Sequence, residues 1–210
     1  YSGEYQGEKI EGEVIGGDIH FSVVNKMEAD EKPNPMMRTQ IQFQFNNREP
    51  EMKELYRMAA DIGMSGIREY SMWNRNAANG PTYSEYPFAP AFELTNELKM
   101  TGNMAVAMGH PTYGGEQYVP TEPEAIDALC DYAEWFVKTY GDKFEYYEIW
   151  NEPNVYGGFN INYATPQQYT ELVKAVYTRI KSVNPKIKVM SMSTATVHDA
   201  FLDPCIEAGI

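Results

Sequence analysis

The chain has 210 residues, 43% of them hydrophobic and 22% charged, a composition that supports one sizeable buried core. Its formal net charge of -13 argues against a polyanionic partner such as nucleic acid, because a phosphate backbone is bound by clustered Lys and Arg. No apolar run approaches the ~20 residues of a membrane helix, and the start, Tyr1-Ser2-Gly3-Glu4, lacks the basic patch and apolar stretch of a signal peptide.

Residues 1–38 resist placement. Residues 16–24 have strand character and residues 30–35 read as a turn or linker, so this part is an N-terminal extension or the end of an upstream β region. Residues 39–45 (TQIQFQF) alternate polar and apolar and predict a first strand. Residues 51–62 predict a helix with Met52, Leu55, Ala59 and Ile62 on one stripe, entered at Pro50 and left at Gly63. A second strand spans 67–73, followed by a long loop at 74–90 rich in Asn, Gly, Pro and Tyr; loops of this length are often functional. A helix at 91–100, ended by Gly102, leads to a third strand at 103–108 and a turn at 109–115.

The run Thr121-Glu122-Pro123-Glu124 has the form of a capping box before a helix with Ile126, Leu129, Ala133, Phe136 and Val137 on its buried face. The fourth strand is 144–150. Thr165-Pro166-Gln167-Gln168 caps another helix, with Leu172, Val173, Val176 and Ile180 buried; a fifth strand at 186–192 and a helix at 200–208 complete the order. Strands alternating with helices predict a parallel α/β sheet. With no Gly-rich phosphate turn opening any helix, a (β/α)8 TIM barrel fits better than a doubly wound sheet. A whole barrel needs about 250 residues, so residues 39–210 are expected to hold only about the first five βα units.

The chemistry concentrates at the end of the fourth strand, where such barrels present catalytic groups. Asn151 and Glu152 close that strand, and Pro153 stops it because proline donates nothing to a ladder. Glycosidic cleavage needs a carboxylic acid in such a place to protonate the departing oxygen, and a second carboxylate opposite it. The run Tyr147-Glu148-Ile149-Trp150-Asn151-Glu152-Pro153-Asn154 resembles the Asn-Glu-Pro strand of clan A glycoside hydrolases, most closely the β-xylosidase/α-L-iduronidase family, with the cellulase/mannanase family second. The resemblance implies that Glu152 is the general acid/base and that Asn151 contacts a sugar 2-hydroxyl. The competing reading is a strand-ending turn with an exposed Glu. The resemblance also puts the nucleophilic carboxylate on a seventh strand, outside this chain, so the chain alone is expected to be inactive. Three explanations stand: a longer protein, a second chain completing the barrel, or a non-catalytic carbohydrate-binding or structural protein derived from a glycosidase barrel. An extracellular or periplasmic location is favoured by the resemblance.

Other candidates carry two readings each. Arg68 matches an arginine on the second strand of the clan that positions the catalytic carboxylates, or makes an ordinary ion pair. Alternation puts it on one face with Tyr70 and Met72, and puts Glu148 with Trp150 and Glu152; if both faces line the barrel, Glu148 is a buried charge needing a cation, and Arg68 is available. His110, taken to share a face with Met104, Val106 and Met108, lines the sugar site or is satisfied by loop backbone. Trp73, Tyr113 and Tyr156 follow strand ends and either stack on sugar rings or fall there by chance. Trp150 and the twelve methionines read as core. Cys130 and Cys205 read as buried free thiols, and His20, His110 and His198 have no ligand spacing, so no metal or cofactor is expected.

Overall fold

Five parallel strands, hydrogen-bonded in the order in which they occur along the chain, form the frame of the computed structural model. It describes residues 2–5, 8–11, 25–28, 31–41, 52–77, 82–85, 89–115, 118–156 and 163–210. Two short strands, β1 (Ser2–Tyr5) and β2 (Glu8–Glu11), pair antiparallel as a separate hairpin that no sequence cue announces. The parallel sheet comprises β3 (Arg38–Gln40), β4 (Gly66–Met72), β5 (Thr101–Ala107), β6 (Tyr146–Ile149) and β7 (Lys188–Met190). Between and after them lie α1 (Met52–Asp61), the short α2 (Trp73–Asn76), α3 (Ala89–Glu97), α4 (Pro123–Tyr140), α5 (Pro166–Val183) and α6 (Asp199–Glu207). An all-parallel sheet in unshuffled order, each strand followed by helix, is the (β/α)8 pattern; five of its units lie among the described residues. The expected strand at 16–24 and residues 42–45 of the expected first strand fall outside the described residues.

The two sheet faces differ in chemistry because side chains alternate along each strand. Ile67, Met104, Val106, Tyr147 and Ile149 face the helices and join Leu129, Tyr132, Phe136, Leu172 and Val176 in one apolar cluster. The opposite face holds a smaller cluster of Tyr70, Met72, Ala105 and Ala107. Glycine at 102 lets β5 and β6 approach, since a Cβ there would meet the Phe144 Cβ at 3.1 Å.

The helix ends explain most departures from the expected boundaries. At α1 the Gly63 N–H bonds to Ala60 O and the Met64 N–H to Ala59 O, a Schellman ending with Gly63 at φ 86°. Ile62 therefore sits in the turn, half exposed, and Tyr56 occupies the buried stripe with Met52 and Ala59. The same ending closes α3 through Lys99 at φ 56°, with Met100 N bonded to Thr95 O. Gly102 is thus not the helix stop; it lies inside β5. The box at 121–124 does not form: Pro123 takes the first helical position, Glu122 becomes the N-cap, and no side chain caps the helix. The box at Thr165 does form, with Gln168 N–H donating to Thr165 Oγ1 at 3.3 Å and Thr165 N–H to Gln168 Oε1 at 2.9 Å. Thr165→Ala is expected to lower stability by about 1 kcal/mol, read from the urea midpoint at unchanged slope.

Methionine is not uniformly core. Met52, Met72, Met100 and Met104 are buried, whereas Met36, Met37, Met58 and Met190 are exposed. Cys130 and Cys205 are free and buried, and burial pushes the Cys130 thiol up to about 11. No helix among the described residues is long and apolar enough to cross a membrane.

Candidate active site

A row of polar side chains crosses the sheet on the face opposite the helices. Parallel register sets Gln40 beside Arg68, Arg68 beside Asn103 and Asn103 beside Tyr146, and one pleat further on sets Tyr70 beside Ala105 and Ala105 beside Glu148. Arg68 and Glu148 therefore face each other across the small side chain of Ala105. The guanidinium grips the carboxylate with two bonds, Nε to Oε2 at 2.7 Å and Nη2 to Oε1 at 2.5 Å, and Asn103 Nδ2 donates a third bond to Oε2 at 3.1 Å. The Glu148 side chain is 3% exposed and that of Arg68 19%. Burial works against the Arg68 charge, but the hydrogen bonds and charge of Glu148, with a contribution from Tyr70, more than offset it and hold the guanidinium above its usual value.

The row then turns towards the end of β6. Arg68 Nη2 donates to Asn151 Oδ1 at 3.0 Å, and the Tyr70 hydroxyl donates to the same oxygen at 3.1 Å. The Tyr70 oxygen in turn accepts from Arg68 Nη1 at 2.9 Å and from Gln40 Nε2 at 3.1 Å. Its one proton and two lone pairs are all engaged, which leaves a single arrangement. With both donors on its oxygen, the Asn151 amide has its nitrogen turned to the opposite side.

Glu152 follows on a distorted backbone. Trp150 and Glu152 have φ of 66° and 52°, the left-handed region that non-glycine residues enter at a cost, and Met108 and Met192 do the same just past β5 and β7. Alternation consequently fails at these ends, and two expectations change. Trp150 does not share a face with Glu148; it is buried in the helix-side cluster. Met108 packs against the Tyr70 cluster, on the face opposite Met104 and Val106. The Glu152 N–H donates to Ser193 O at 2.8 Å, and Asn154 exchanges side-chain bonds with the backbone of Ala195, accepting at 3.0 Å and donating at 3.3 Å. Glu152 itself is half-buried.

A second group forms around Trp73, His110 and Tyr113. The Trp73 ring, 2% exposed, stacks on Tyr113 with centroids 5.6 Å apart and lies 5.2 Å from His110. His110 Nδ1 accepts from Thr112 N–H at 3.2 Å, so Nε2 carries the proton and donates to Ala77 O at 2.5 Å. Both ring nitrogens are bound to loop backbone. Gly109 permits this turn, since a Cβ there would come within 2.4 Å of the Gly115 and Tyr118 carbonyls. A cleft of about 260 Å³ opens alongside, with Tyr113, Tyr118 and Glu122 on its walls. Tyr156 stands apart, 71% exposed, in the segment after Glu152. Among the described residues no three His, Cys, Asp or Glu converge as a metal site would require.

Sequence alone gives Tyr70 and Gln40 no role. Tyr70 has a usable signal: it lies two residues after Arg68, on the same strand face. Gln40 has none, because its part depends on strand register.

No protein-family model and no curated protein matches the chain. Solved structures do. A family 39 glycoside hydrolase from the gut symbiont Bacteroides cellulosilyticus WH2 superposes with a TM-score of 0.67 at 22% identity, over 83% of this chain and 36% of that one. The endoglucanase Cel5A from the hyperthermophile Thermotoga maritima superposes at 0.56 and 19% identity, over 72% and 47%. A complex of the same Cel5A with mannotriose gives 0.59 and 17%, over 81% and 56%. At these identities the likeness carries the fold, that of barrel glycoside hydrolases, and this chain spans roughly a third to a little over half of their lengths.

Proposed function

We propose that the full-length protein carrying this chain is a retaining glycoside hydrolase acting on a β-linked oligosaccharide or polysaccharide, with Glu152 as general acid/base. The observation that carries the reading is the placement of Asn151 and Glu152 at the carboxyl end of the fourth barrel strand, with the Asn151 head group oriented by Arg68 and Tyr70. The likeness to a family 39 enzyme favours the xylosidase/iduronidase group within that reading. The resemblance to the xylosidase/iduronidase family favours an extracellular or periplasmic site of action.

In the first step Glu152 protonates the leaving oxygen while a second carboxylate, about 5 Å away, attacks the anomeric carbon. In the second step Glu152 takes a proton from water, which displaces the enzyme carboxylate from the sugar. That second carboxylate comes from a further segment or chain that completes the barrel. The Asn151 amide nitrogen, turned away from Arg68, donates to the sugar 2-hydroxyl, a bond that strengthens as charge develops on the ring. Arg68 serves the site through Asn151. Tyr156 and Tyr113 offer ring faces to the sugar, and Trp73 and His110 back the Tyr113 ring. No cofactor enters any step.

Proton NMR of the first-formed sugar tests the reading. The expected product keeps the anomeric configuration of the substrate; an inverted product would overturn the two-step mechanism. Saturable glycan binding without hydrolysis would favour the non-catalytic alternative instead.

A further inference from the structure

The ladder between β6 and β7 breaks at one place, and a side chain from a helix fills the break. In a parallel pair the hydrogen bonds repeat every two residues. Lys188 N–H donates to Glu145 O at 3.1 Å, and Glu148 lies opposite Met190. The repeat therefore calls for a bond from Met192 N–H to Ile149 O. Instead the Tyr169 hydroxyl, from α5, occupies that place: it accepts from Met192 N–H at 2.9 Å and donates to Ile149 O at 3.0 Å.

We propose that the Tyr169 hydroxyl is a wedge that parts the ends of β6 and β7 and thereby positions Glu152. A direct bond would hold the Met192 nitrogen and Ile149 oxygen about 3 Å apart; a hydroxyl between them at tetrahedral angles sets them roughly 5 Å apart. The opening begins one residue before Trp150, and the backbone spends it on left-handed residues at Trp150, Glu152 and Met192. The gap closes again where Glu152 N–H reaches Ser193 O at 2.8 Å and Asn154 holds the Ala195 backbone. The Glu152 backbone thus hangs from the loop after β7, and the wedge sets the offset of that loop. The Tyr169 ring is fully buried, with the Phe201 ring 5.8 Å away. Burial holds its hydroxyl above the usual tyrosine range, against the Met192 bond that lowers it, so the proton given to Ile149 O stays in place. Tyr169 is a positioning residue and touches no substrate.

The inference rests on the acid/base reading of Glu152, and two measurements separate their failures. Tyr169→Phe keeps the ring and removes the wedge. In the full-length protein, kcat on a substrate with a poor alkoxide leaving group is expected to fall on the order of 10- to 100-fold with KM changed less than about threefold. Glycosylation by an activated aryl glycoside, which needs little protonation, is expected to be largely spared. Amide hydrogen exchange at Glu152 is expected to quicken about tenfold or more whether or not the protein hydrolyses anything, so an inactive wild type would sink the function and leave the wedge standing. Tyr177→Phe, on the exposed side of the same helix, is the control and should change neither quantity. An unchanged ratio between the two substrates together with unchanged exchange at Glu152 would overturn the proposal. Should Tyr169→Phe not fold, Asn154→Ala severs the other tie between the same loops. Its ratio and its exchange are expected to move in the same directions, and the proposal falls if neither does.

Discussion

Glu152→Gln in the full-length protein is expected to lower kcat/KM on glycosides with alkoxide leaving groups by about 10²- to 10⁴-fold, the usual worth of a positioned acid. The amide keeps the shape and the half-buried setting of the carboxyl group but offers no acidic proton. Activated aryl glycosides leave without protonation, so the glycosylation step measured on them should change little. Their turnover should still slow, because the second step also loses its base, and the glycosyl-enzyme should accumulate as a burst of aryl product. Azide needs no deprotonation to attack that intermediate and is expected to restore turnover. Pre-steady-state kinetics on the two substrate classes check this. Equal loss on both in the glycosylation step would remove Glu152 from the acid role.

The second large effect concerns the charge pair behind it. Arg68→Met leaves the Glu148 carboxylate buried with one remaining donor, Asn103, and without its cation. Breaking a buried pair from one side costs on the order of 3–5 kcal/mol, a large fraction of the stability of an ordinary domain. Denaturant unfolding should show it as a lower midpoint at nearly unchanged slope. The double variant Arg68→Met/Glu148→Met removes the orphaned charge as well and is expected to recover most of the loss, since an apolar pair of similar volume often replaces an ion pair at little cost. Activity should not return with stability, because Asn151 still lacks its guanidinium donor. A double variant as unstable as the single one, or as active as wild type, would contradict this account.

The parallel frame is legible in the sequence because its cues are local. Alternation in the strands, helical stripes at 126–137 and 172–180, and the Thr165 box all depend on neighbours within a few residues, and the sheet order follows because consecutive strands joined through a helix tend to lie side by side. The burial argument that pairs Glu148 with Arg68 is also available from strand alternation, and the structure puts those groups 2.7 and 2.5 Å apart. Legibility ends where the backbone leaves the regular regions. Met108, Trp150 and Met192 are residue types with no taste for positive φ, so nothing in them announces a turn, and counting faces through them gives the wrong side for Trp150 and for Met108. Tyr169 is hidden for a different reason. On a helix its ring reads as one more apolar position, and the value of its hydroxyl depends on a gap between two distant strands. The Thr121 box fails on a purely local competition that proline wins.

The bonds around Tyr70 have a sense of travel. Arg68 can only give protons to the phenol oxygen and to the asparagine oxygen, and the phenol, accepting from Arg68, passes its own proton to the same asparagine oxygen, which can only receive. An isolated asparagine amide can sit either way round, nitrogen and oxygen exchanged, with nearly the same shape. Here the choice is made on β4, by the Arg68 guanidinium, which can only donate and reaches the Asn151 oxygen both directly and through the phenol. Which face of a hydroxyl the site can greet, donor or acceptor, is therefore written on the second strand of the barrel.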